Sequence, residues 1–130
     1  MTVMKSKVFP FDPGSEFLTP EGCWIIEMSN DADDPDCSVA RARVSPGATT
    51  EWHHLEGVAE RYVILEGRGL VEVSGLAATT VQHGDVVRIP AGVAQRITNT
   101  GDGDLVFLCV CTPRFRAELY VRREDLDRRA

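Results

Sequence analysis

Along most of the chain apolar and polar residues alternate in short stretches separated by glycine-containing turns. A period of two is the signature of a strand with one face buried. It predicts strands at 23–28, 38–44, 50–55, 60–65, 70–73, 86–89, 95–99 and 105–111. The intervening segments 66–69, 74–75, 83–85, 90–92 and 101–104 carry the glycine or Asx chemistry of tight turns, and Ser45-Pro46-Gly47 is another. Strands at a spacing of roughly eight to twelve residues argue for an all-β sandwich or barrel. Helical periodicity appears only at the end. Within 117–129, Leu119, Arg122, Arg123 and Leu126 fall at helical offsets and predict a short terminal helix.

Composition narrows the class. A chain of 130 residues, 43% hydrophobic and 26% charged, fits one globular domain and excludes disordered or collagen-like chains. The expected domain spans 1–130, with 1–20 as an N-terminal arm, 38–112 as the barrel core and 113–130 as a tail of mixed charge. No apolar run approaches the ~20 residues of a membrane span. Lys5 and Lys7 precede no apolar leader segment, so a soluble, cytoplasmic protein is expected. The net charge of −6 disfavours a phosphate backbone as partner, and no nucleic-acid binding is expected. From Arg114 onward the tail is +2 while residues 1–113 carry −8, but the tail's acids are interleaved with its arginines, as in a solvated element.

Two further clusters have bland readings. Cys23, Cys37, Cys109 and Cys111 make no C-x-x-C pair and read as reduced thiols. Cys109 and Cys111 share one face of an apolar run and read as small buried hydrophobes rather than soft-metal ligands. The acidic loop 31–36, with Asp31, Asp33, Asp34 and Asp36, lacks the glycine and the closing glutamate of a calcium loop and reads as a solvated turn.

Two blocks carry a family signal. Gly47, His53, Glu60 and Gly67 form G-x5-H and E-x6-G; Gly84, Pro90, Gly92 and Asn99 form G-x5-P-x-G with the asparagine seven residues on. Their order, separation and β-patterned setting resemble the two motifs of the cupin superfamily, and of its small single-domain members in particular. The resemblance implies a double-stranded β-helix, a jelly-roll barrel. It does not imply a reaction, because this fold hosts dioxygenases, decarboxylases, isomerases and binding proteins. Gly67 and Gly69 are expected to supply positive φ at a hairpin.

In metal-binding cupins the first motif supplies H-x-H and a glutamate, and the second motif one more histidine. Carried onto this chain, His53 matches the first histidine and Glu60 the glutamate, while Leu55 and Gln95 stand at the other two positions. His53, Glu60 and Gln95 are therefore the candidate metal ligands, and His53 and Glu60 the candidate catalytic pair. One imidazole, one carboxylate and one amide oxygen would suit zinc, manganese, nickel or iron, with water completing the shell. This set is not the two-histidine-one-carboxylate triad of iron oxygenases. Adjacent His54 is expected to point the opposite way. The alternative is a hydrogen-bonded polar cluster without metal, and both readings stand at this point. Either way a buried Glu60 needs a partner: His53, a metal, Arg61 or a ligand.

The expected function is a polar-floored pocket that binds a divalent ion and a small organic ligand, with isomerase- or lyase-type chemistry. A non-catalytic sugar- or carboxylate-binding module without metal is the alternative. The resemblance also implies a homodimer, and open sheet edges supply a physical motive for one. Residues 1–20, with Phe9, Phe11 and Phe17 and three prolines, could form a covering arm.

Overall fold

A computed structural model describes residues 4–123. Eleven strands form two antiparallel sheets packed face to face. They are β1 (Phe17–Leu18), β2 (Trp24–Ser29), β3 (Ser38–Val44), β4 (His53–Leu55), β5 (Ala59–Glu66), β6 (Arg68–Val73), β7 (Thr79–Gln82), β8 (Val86–Ile89), β9 (Gln95–Asn99), β10 (Leu105–Thr112) and β11 (Tyr120–Arg122). The strand orders are β1-β2-β3-β10-β5-β8 and β11-β4-β9-β6-β7. This is the all-β jelly roll the pattern predicts. Among the described residues no helix is long and apolar enough to cross a membrane.

Alternation decides what fills the interior. On β5, Glu60, Tyr62 and Ile64 are buried while their neighbours are less so; on β9, Gln95, Ile97 and Asn99 are buried in the same rhythm. The apolar core joins Val44, Ile64, Val71, Ile97, Leu105 and Phe107 across both sheets. Strand β10 departs from the rhythm. A register shift between Val106 and Phe107 against β5 lets Leu105, Val106 and Phe107 all be buried. Asn99 closes the 101–103 turn: its amide donates to the carbonyls of Val44 and Gly103 and its oxygen accepts from the Gly101 N–H.

The structure corrects two expectations. Residues 117–119 form a single 3-10 turn and Tyr120–Arg122 form β11, antiparallel to β4, so no helix begins at 117. The open edge of β4 offers ladder hydrogen bonds that outweigh a weak helical offset, and Tyr120 and Val121 are good strand formers. The rest of the expected helix, 124–129, lies outside the described residues. Gly69 also differs from expectation. Gly67 has φ +83°, but Gly69 lies inside β6 and is needed for space, because a Cβ there would come 2.9 Å from Leu105 Cδ2 and 3.0 Å from the Thr98 carbonyl.

Gly67 combines both constraints: besides its positive φ, a Cβ would sit 2.5 Å from the Asp104 carbonyl oxygen. Gly75, at φ +85°, has open space around it. Gly75→Ala is expected to cost about 1–2 kcal/mol from backbone strain alone. Gly67→Ala adds overpacking on the order of 1–3 kcal/mol. Denaturant unfolding of both variants measures the difference, and equal losses would refute the close approach.

Candidate functional site

His53 enters the interior from β4, where it pairs with Gln95 of β9. Its Nδ1 lies 2.7 Å from the Glu51 carbonyl oxygen, which can only accept, so Nδ1 carries the proton and donates. In the neutral ring Nε2 is then the acceptor nitrogen, and it faces Glu21 Oε2 at 3.9 Å. The ring stacks on Tyr120 with centroids 4.5 Å apart, and the Tyr120 hydroxyl donates to Glu51 Oε1 at 2.7 Å. Thus β11 holds the imidazole from one side and Glu51 fixes its tautomer.

Glu60 has its own chain of partners. Gln95 Nε2 donates to Glu60 Oε1 at 2.8 Å, and the Tyr62 hydroxyl donates to Gln95 Oε1. The Cys111 thiol lies 3.8 Å from Glu60 Oε2. Burial raises the Glu60 pKa above the usual carboxylate range, against the lowering effect of hydrogen bonds from Gln95, Cys109 and Cys111. Burial likewise raises Glu21, with the neighbouring His53 pulling it back, and raises Glu27. The Tyr62 hydroxyl and the Cys109 and Cys111 thiols are pushed up by burial and then by Glu60, so they remain protonated and unreactive.

These groups meet around an opening in the barrel. A cavity of about 350 Å³ has largely apolar walls, among them Phe17, Ile25, Phe115 and Tyr120, and carries Glu21, Glu27 and Glu60. An inner recess of about 40 Å³ shares Glu21 and Glu60 and adds His53 and Tyr62. The expected pair, His53 and Glu60, therefore opens into one recess. Gln95 stands behind it as the bridge between Tyr62 and Glu60. His54 lines neither space; its Nε2 meets Glu56 Oε2 at 2.9 Å and Arg123 Nη1 lies 3.4 Å from its Nδ1. Arg61 turns away from Glu60 to donate to Thr112 Oγ1 at 3.0 Å. Arg96, on the face opposite Gln95, pairs with Glu72 and lies over Trp52. His83 and Arg88 are exposed.

A metal ion needs several donor atoms turned to one point. Gln95 turns its oxygen to the Tyr62 hydroxyl and its amide nitrogen to Glu60, so that the side chain presents a hydrogen-bond donor, not an oxygen, on the side where Glu60 lies. His53 Nε2 faces Glu21. Among the described residues no group of three or more His, Cys, Asp or Glu side chains is placed to hold a metal ion. As arranged, these side chains do not fit one.

Sequence reasoning missed Glu21, Glu27 and Tyr120. Glu21 lies in the turn before β2, where no alternation assigns a direction. Tyr120 reaches His53 only through pairing across 65 residues of chain.

A two-sheet jelly roll with a polar-floored opening defines the class, and sequence similarity supplies the family. The profile of the cupin domain matches residues 40–111. The chain belongs to the cupin family. It is 32% identical over 120 residues, 91% of this chain and 95% of the relative, to an uncharacterised protein of Methanocaldococcus jannaschii. It is 38% identical over 71 residues to the oxalate-binding protein of Thermotoga maritima, a match covering 55% of this chain and 58% of that one. The solved structure of KdgF from Halomonas sp. shares the fold with a TM-score of 0.73 at 17% identity, over 84% of this chain and 96% of that chain.

Glu60 gives a stability signature. A carboxyl whose folded-state pKa is raised favours the fold fully below its ordinary value near 4.5 and loses that contribution as pH rises through the raised value. Each unit of elevation corresponds to about 1.4 kcal/mol. Glu60→Gln keeps an oxygen for Gln95 and cannot ionise. Thermal unfolding from about pH 4 to pH 8 is expected to show the variant gaining on the parent as pH rises. Parallel curves would show that Glu60 is not held neutral.

Proposed function

We propose that this cupin domain binds a small organic molecule in the 350 Å³ cavity and moves a proton on it, in chemistry of isomerase or lyase type. The observation that carries this reading is the pairing, in one recess, of a carboxyl whose pKa burial raises with an imidazole whose Nδ1 is tied to a backbone carbonyl, leaving Nε2 as the acceptor nitrogen of the neutral ring. Environments that push two groups toward opposite roles assign acid and base. Glu60 acts as the acid, donating to a carbonyl or hydroxyl oxygen of the ligand. His53 Nε2 takes the proton from the neighbouring carbon, and reversal at the adjacent atom completes an isomerisation. Glu21 balances the imidazolium that forms. Gln95 positions Glu60, and Tyr62 positions Gln95.

The reading does not carry over oxalate from the relative. A small dianion needs a cation in the pocket, and neither lining includes a Lys or Arg among the described residues. Pairing of two copies belongs to the same proposal. Phe17 and Leu18 are exposed on β1, the edge strand of the larger sheet, and Phe9 and Phe11 are exposed in the segment before it; a second copy laid on that edge covers both apolar surface and edge.

Sugars, amino sugars and keto acids incubated with the protein in D2O test the chemistry. At least one is expected to take up deuterium at the carbon beside its carbonyl, with the rate falling about 10²–10⁴-fold in His53→Gln or Glu60→Gln. A ligand that raises the melting temperature but never exchanges would leave binding without catalysis. Light scattering is expected to give twice the chain mass, and a monomer at all concentrations would remove the pairing.

A further inference from the structure

The charge of the cavity is lopsided. Its lining holds three carboxyl side chains, Glu21, Glu27 and Glu60, and no Lys or Arg among the described residues. The basic group in the lining of the inner recess, His53, already faces Glu21. The three carboxyls do not occupy equivalent places. Glu60 is at the floor and committed to Gln95, whereas Glu27 is exposed at the rim and Glu21 lies between rim and recess. Three aromatic rings, Phe17, Phe115 and Tyr120, line the same space. Acidic oxygens combined with aromatic faces form the surroundings that hold an organic cation, because ring quadrupoles and carboxylates attract the same sign of charge. An anionic ligand would meet Glu21 and Glu27 with no Lys or Arg in the lining, among the described residues, to offset them. A neutral ligand would leave the rim carboxyls to lose water on its entry without a charged partner.

From this asymmetry we infer that the ligand is a small amine with an apolar body, its ammonium taken by Glu21 and Glu27 and its body laid against Phe17, Phe115 and Tyr120. The assignment rests on the cavity being the binding site, as proposed above, and adds the charge of its occupant. It leaves Glu60 free to remain the acid at the floor. The aromatic wall from β1, the segment after β10 and β11 makes the pocket select for shape as well as charge, since an apolar body packs on it and a hydrated inorganic cation has none.

Three probes of matched shape test the inference: benzylamine, benzyl alcohol and benzoate, titrated calorimetrically into the full chain. Benzylamine is expected to bind about tenfold or more tighter than benzyl alcohol, with benzoate the weakest. In the double variant Glu21→Gln/Glu27→Gln, amine affinity is expected to fall to that of the alcohol while alcohol affinity stays. The single variant Glu27→Gln changes a side chain at the rim, outside the apolar core, and is expected to lose part of the preference. Equal or tighter binding of alcohol or benzoate would overturn the charge assignment and leave the cavity as a binding site. An amine preference that survives the double variant would trace to the acidic surface at large and overturn it as well. Silence from all three probes would remove the assignment together with the pocket reading beneath it.

Discussion

Strand β5 turns Glu60 inward by the same alternation that turns Tyr62 and Ile64 inward, and so puts a carboxyl among apolar side chains. An ionised carboxylate left there without a partner costs several kcal/mol, so neighbouring strands must supply hydrogen bonds or the group must stay neutral. Gln95 from β9 and thiols from β10 approach the two oxygens, and burial raises the pKa against their hydrogen bonds. A carboxyl raised in this way keeps its proton to higher pH than an exposed one, which is what the proposed acid role draws on.

Two more carboxyls share the cavity. Glu21 and Glu27 border it from the β2 side; burial raises the pKa of both, and His53 pulls Glu21 back toward the charged form. In the proposed reading these two take the charge of the ligand while Glu60 keeps the floor. His53 stands between them. Its ring is gripped by Tyr120 on one face, its Nδ1 is tied to a backbone carbonyl, and its Nε2 is turned toward Glu21. No step in this arrangement depends on the imidazole rotating.

Much of the framework was legible from local pattern. Strands 38–44, 86–89 and 95–99 match β3, β8 and β9, because each alternates cleanly between turns of defined chemistry. The inward aim of His53 and Glu60 followed from the paired motifs. What the pattern could not show is set by remote partners. Strand β7 has one buried residue, Val81, and exists because β6 offers it an edge. Strand β11 looked helical because three residues are too few for a period to register. Glu21 occupies a turn, where direction depends on how the chain enters β2. Gln95 was placed correctly on the inner face, yet its partners could not be read, since an amide both donates and accepts and only the packing says to whom.

The two positions where this chain departs from the metal-binding motif illuminate each other. Leu55 is buried in a small apolar cluster with Val58 and Cys111, against which Phe115, Leu119 and Tyr120 pack. A histidine there would put a polar ring under the segment that carries β11. Leucine instead anchors that segment, which in turn brings Tyr120 onto His53 and Phe115 to the cavity wall. Gln95 makes the second change. Its amide relays between a phenol that must donate and a carboxyl that must be satisfied, a task requiring donor and acceptor atoms on one side chain. Together they replace two ligand positions of the motif by an apolar anchor and an amide relay. The anchor brings Tyr120 and Phe115 to the site, the relay satisfies Glu60, and the carboxyl is left facing the cavity with its pKa raised by burial.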